Sequence, residues 1–149
     1  LLSAPYWTHF GITTAGNVID FCTALEGVSH FLYLTWNASI NRAVRLLELE
    51  LQAEVDKYIS ITTLAHEQRS KTSSQLHTWL FERATFDIAL DDRERERYRD
   101  ANHYAGKYCF ELETRYLRGQ PRETTDAMMG DIRHFYRLSL PDKIRRIDN

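Results

Sequence analysis

The sequence predicts an all-α protein, a single-domain bundle of about five helices with an irregular N-terminal arm. Three observations carry this. Apolar residues recur at steps of three and four along most of the chain. No alternating apolar run bounded by turn residues marks a strand, and no repeat of roughly 20 to 50 residues marks a solenoid. The 149 residues also suffice for one domain, 1–149, that buries about two thirds of its unfolded surface.

Residues 1–16 are broken by Pro5, Gly11 and Gly16 and carry Tyr6, Trp7 and Phe10. They read as an arm whose aromatics dock on the bundle or meet a partner. From Asn17 to about Trp36, Val18, Phe21, Cys22, Leu25, Val28, Phe31, Leu32 and Trp36 keep helical steps, with Gly27 as a point of interruption. After Val28 this helix is apolar nearly all round, which places it in the middle of the bundle or in an interface. Asn37-Ala38-Ser39 matches a glycosylation sequon, and its simpler role is that Asn37 or Ser39 caps the next helix.

That next helix, Ser39 to Ile61, is the central one. Ile40, Val44, Leu47, Leu51, Val55 and Tyr58 line one face, and Arg45, Glu48, Gln52 and Asp56 form the opposite, solvated face. At 1.5 Å per residue it runs roughly 33 Å, so other helices pack along most of it, and Leu47 and Leu51 are expected to be fully buried. A further helix from about Ser74 to Leu90 presents Leu76, Trp79, Leu80, Phe81, Ala84, Phe86 and Ile88 over a wide arc. Nine of the ten residues from Asp91 to Asp100 are charged, the mark of a solvated face. Asp91 or Asp92 caps a long helix there, with the stripe Tyr98, Ala101, Ala105, Tyr108, Leu112 and Tyr116, ending at Gly119 before Pro121. A last helix, Thr125 to Leu138, presents Met128, Met129, Ile132, Phe135 and Tyr136, and Pro141 opens a terminal turn from Asp142 to Ile147.

A net charge of −2 and a pI near 6.3 provide no global field toward nucleic acid or an anionic membrane, so any such binding is local. No run is long and apolar enough to span a bilayer. Cys22 and Cys109 are too few for a disulfide framework and read as reduced thiols, which points to the cytoplasm. The chain starts on Leu1 and reads as a fragment or a processed product.

Arg97 and His103 stand six apart in RYRDANH. That spacing resembles the Arg-x4–6-His signature of HEPN domains, all-α modules that pair two copies across a dimer to cleave RNA. The resemblance covers seven residues, and Tyr98 departs from the polar residue usual after the Arg. It implies a metal-independent ribonuclease with Arg97 and His103 as catalytic residues. Leu64 to Ser70, LAHEQRS, resembles the H-box of sensor-kinase dimerisation helices. It implies His66 as phospho-acceptor and Glu67 as its neighbouring base. Lys71 replaces the family's Pro, and no Gly-rich nucleotide lid follows, so the phosphoryl group would come from elsewhere.

Asp131 and His134 have the i, i+3 spacing of a bundle metal site, but such a site needs more inward carboxylates. Glu48, Glu54, Glu82, Glu111 and Glu113 fall on expected solvent faces, so neither a metal nor a cofactor is expected. Arg115, Arg118 and Arg122 beside Tyr116, and Lys143, Arg145 and Arg146, form two small basic clusters able to meet phosphate. The first also simply complements a helix dipole. The functional expectation is a non-catalytic interaction or regulatory module that binds a protein partner or a second copy through Tyr6, Trp7, Phe10, Phe31, Tyr33 and Trp36. The HEPN-like ribonuclease is the alternative, and only it requires nucleic acid.

Overall fold

Helices follow the periodic apolar positions, and the computed structural model describes them for residues 15–67, 74–82, 90–117 and 124–149. The described residues are all-α. In order they form α1 (Ala15–Ser39), α2 (Leu46–Glu67), the short α3 (Ser74–His77), α4 (Asp92–Leu112), α5 (Thr124–Arg137) and α6 (Leu140–Asp148). Single π-helical turns extend α3 over Thr78–Glu82 and α4 over Glu113–Leu117. The arm residues Tyr6, Trp7 and Phe10 lie outside the described residues.

α2 is the central helix, laid most extensively against α4 and next against α1. Leu51, Val55, Tyr58 and Ile61 bring its apolar face to Leu76 and Leu80, to Ala101, Ala105, Tyr108, Cys109 and Leu112 of α4, and to Phe135 and Leu140. Tyr108 stacks on Phe135 with centroids 3.8 Å apart. Asn102 Nδ2 donates to Leu80 O at 3.1 Å, and His77 Nε2 meets Gly106 O at 2.8 Å, fixing the α3 segment to α4. The predicted cap of α4 is present as a reciprocal capping box. Asp91 Oδ1 accepts from Glu94 N at 2.7 Å, and Asp91 N donates to Glu94 Oε2 at 3.1 Å.

Several expectations are corrected. The central helix begins at Leu46, not Ser39, because the chain turns between α1 and α2. Asn41 sits at φ 54°, its N–H reaches Ala38 O at 3.1 Å, and the Arg42 N–H reaches Asn37 O at 2.9 Å. This is a Schellman closure with Asn in the position that glycine usually takes. Ile40 is consequently exposed and Leu47 only half-buried, whereas Leu51 is fully buried. Asn37 and Ser39 therefore close α1 instead of opening α2: Asn37 Nδ2 donates to Tyr33 O at 2.8 Å and Ser39 Oγ to Trp36 O at 2.6 Å. Gly27 does not interrupt α1. The predicted terminal turn is a full helix, α6, with Pro141 in its first turn, where a missing N–H costs nothing.

Leu51→Ala is expected to cost about 2–5 kcal/mol in denaturant unfolding, while Leu46→Ala, at an exposed site, stays within about 0.5 kcal/mol. Asn41→Ala is expected to lose about 1 kcal/mol, because a Cβ without a local hydrogen bond disfavours the left-handed region, and Asn41→Gly is expected to lose none. Equal stabilities for the two Asn41 variants would contradict the closure.

Candidate functional site

The face of α2 expected to meet solvent is instead turned inward. Glu48 and Gln52 are buried and Asp56 is largely covered, because α1 and α6 lie over them. Burial obliges these groups to bond one another, and they do. Tyr33 Oη donates to Glu48 Oε1 at 2.6 Å, and Arg42 reaches the same oxygen, the Tyr33 hydroxyl at 2.8 Å and Asn37 Oδ1. Ser29 Oγ donates to Asp56 Oδ2 at 2.6 Å, and Gln52 Nε2 donates to Asp56 Oδ1 at 2.8 Å. Lys143 of α6, fully buried, donates to Gln52 Oε1 at 2.6 Å and Phe135 O at 2.8 Å, and its Nζ lies over the Tyr33 and Phe135 rings. Burial pushes the Lys143 amine down to about 7 despite the pull of Glu48 and Asp56. It raises the Asp56 carboxyl against its hydrogen bonds from Ser29 and Gln52.

A second polar group lies on the same α1–α2 seam, one helix face away. Glu26 and His30 come from α1, Glu50, Glu54 and Lys57 from α2, and Arg97 from α4. Lys57 Nζ lies 2.6 Å from Glu54 Oε1 and 3.3 Å from Glu26 Oε2. His30 Nε2 is 3.3 Å from Glu50 Oε2, and Arg97 Nε is 3.9 Å from Glu50 Oε1. Burial raises the Glu50 and Glu54 carboxyls, while the nearby cations oppose it. One ligand atom each from Glu26, His30 and Glu50 lie within 4.8 Å of one another.

Beyond these clusters α1 turns an apolar face outward. Val28, Phe31, Leu32 and Leu34 are exposed, Phe31 at 67 %. Ala24, Gly27, Thr35 and Ala38 on the same arc are exposed too. Of the residues predicted to bind a partner, Phe31 belongs to this face. Tyr33 is interior, and half-buried Trp36 leans on Tyr136 at 5.5 Å.

The remaining candidates are dispersed. Arg97 turns toward Glu50, whereas His103 is exposed on another side of α4 against Tyr104, so one chain does not bring them together. The side chains of His66 and Glu67 lie outside the described residues, as do Arg118 and Arg122. Asp131 takes Arg115, Arg146 and the Tyr116 hydroxyl, while His134 points to solvent. The basic clusters are used internally: Arg146 pairs with Glu111 and Asp131, and Lys143 is in the core. Glu48 and Glu113 are buried rather than on solvent faces, Glu113 accepting from the Tyr58 hydroxyl at 3.1 Å. Reasoning from one helix at a time missed Glu26, His30 and Glu50. The signal available was that Glu26 and His30 on one helix, and Glu50 and Glu54 on the next, are each four apart and so share a face.

Among the described residues no helix is long and apolar enough to cross a membrane. Comparison with protein-family models, curated proteins and solved structures returns no match.

The Lys143 shift fixes a pH dependence. Its folded value near 7 lies below the ordinary 10.5, so between these values the unfolded chain binds more protons and stability rises with pH. The stability difference between wild type and Lys143→Met is expected to grow in favour of wild type by roughly 2 kcal/mol from about pH 7 to about pH 9, at about 1.4 kcal/mol per unit. Denaturant unfolding at the two pH values measures it, and a pH-independent difference would contradict a neutral buried amine.

Proposed function

We propose that the protein is a non-catalytic interaction module that works through a protein partner, and that the partner is a second copy docked on the outward face of α1. The observation that carries this reading is the reversed amphipathicity of α1. From Glu26 onward its inward residues Glu26, Ser29, His30, Tyr33 and Asn37 are polar, whereas its outward arc over the same stretch holds Val28, Phe31, Leu32 and Leu34 without one charged side chain. A helix polar toward its own bundle and apolar toward water gains free energy only by covering the outward side.

The four large side chains alone expose on the order of 400 Å2, at the scale of the largest apolar patch on a typical monomer. A charge-free arc gives a charged or polar partner nothing to pair with. It is complementary to another apolar helix of the same kind, and a twofold arrangement puts the same stripe on both sides. Ala24, Gly27 and Ala38, interleaved with the large residues, leave room for two such helices to approach.

Light scattering and sedimentation at micromolar concentration are expected to give a dimer. The double variant Phe31→Glu with Leu32→Glu is expected to give a monomer of unchanged helicity, because both sites are already exposed within one chain. A monomeric wild type would remove the second-copy reading. RNA cleavage by the wild type that His103→Ala abolishes would move the assignment to the ribonuclease.

A further inference from the structure

We propose that Glu26, His30 and Glu50 form a binding site for a divalent transition ion of the zinc type, clamped between α1 and α2. Among the described residues they are the one trio of His, Cys, Asp or Glu whose ligand atoms converge, all within 4.8 Å. Imidazole with two carboxylates is a borderline donor set that suits zinc, manganese, iron or cobalt rather than calcium, which prefers six or more oxygens.

The second observation concerns His30 itself. Its Nε2 is shut off from solvent and has no hydrogen-bond partner, although Glu50 Oε2 lies only 3.3 Å away. Close approach without hydrogen-bond alignment is how two ligands of one ion sit. Donors each about 2.0–2.1 Å from a tetrahedral ion are about 3.4 Å apart and direct their lone pairs at the ion, not at each other. The Glu50 side chain is 92 % buried, its 8 % exposure being the smallest of the three, and among the described residues its oxygens face His30 Nε2 at 3.3 Å and Arg97 Nε at 3.9 Å. Arg97 Nε, also buried without a hydrogen-bond partner, faces Oε1 and leaves Oε2 on the His30 side.

Charge points the same way. Three carboxylates, Glu26, Glu50 and Glu54, face two permanent cations, Lys57 and Arg97. With His30 neutral, as a ligand must be, the cluster keeps one uncompensated negative charge in a poorly solvated seam. Three protein donors leave a position for water or another ligand. The site lies within one chain, so the inference stands apart from the dimer reading.

The test uses the full chain freed of metal with a chelator and titrated with Zn2+ by calorimetry, and with Co2+ by absorption. One equivalent is expected to bind and to raise the melting temperature, with a Co2+ spectrum free of thiolate charge transfer. Glu50→Gln and His30→Gln are each expected to weaken binding at least about tenfold. The exposed His134→Gln is expected to leave it unchanged. His30→Cys is expected to add a thiolate-to-cobalt band, a readout that does not depend on the other variants folding well. Absence of stoichiometric Zn2+ binding by folded wild type, binding that persists in both Glu50→Gln and His30→Gln, or no new band in His30→Cys with bound Co2+, would overturn the site.

Discussion

The buried amine of Lys143 is the constraint to which much of the structure answers. An amine in the interior must find oxygens, and it takes them from Gln52 on α2 and Phe135 on α5 while covering the rings of Phe135 and Tyr33. Gln52, held in place by that bond, turns its amide to Asp56, and Asp56 binds Ser29 of α1. Four helices thus meet through one polar chain. Such an arrangement is costly to break at any single member, because each deletion strands another buried polar atom. Its effect is to specify how α6 sits on α2.

This polar seam also explains α1. A helix laid on Glu48, Gln52, Asp56 and Glu50 must present polar groups to them, so Glu26, Ser29, His30, Tyr33 and Asn37 occupy its inner side. From Val28 on, its large apolar residues are mostly left on the outer side, while Phe21 and Cys22 earlier in the helix still reach the core. The apolar core lies instead on the other side of α2, where Leu51, Val55 and Tyr58 meet α4. α2 therefore separates two environments, one dry and one ionic.

What was legible in the sequence was what local rules decide. Ala101, Ala105, Tyr108 and Leu112 lie one helical turn or so apart, and they are buried as that spacing implies; Asp91 with Glu94 announces the start of α4 by side-chain chemistry alone. The start of α2 was hidden because Ile40 and Val44 continue the period of Leu47 and Leu51 across a turn, and Asn41, the residue at positive φ in that turn, also occurs in helices. The polar face of α2 was misread because a charged residue is ordinarily solvated, and only a partner helix carrying Lys143, 91 positions from Gln52, reverses that expectation. The convergence of Glu26, His30 and Glu50 likewise depends on the angle and register of two helices, which no single-helix periodicity contains.

α6 has nine residues, fewer than an isolated helix needs to persist in water, and its N-cap Ser139 gives its hydroxyl to the Asp142 carboxylate at 2.6 Å instead of accepting from a first-turn backbone N–H. Its anchorage comes from the middle: Lys143 is held in the core, and Arg146 is fastened to Glu111 and Asp131. A terminal helix ordinarily frays, its amides exchanging with deuterium through small local openings. Here an opening that frees α6 must also pull an amine out of the interior and expose the carboxamide of Gln52. Exchange at the amides of α6 therefore belongs with the slow, cooperative openings of α2, so that the last turns of the described chain report on the same unit as its centre.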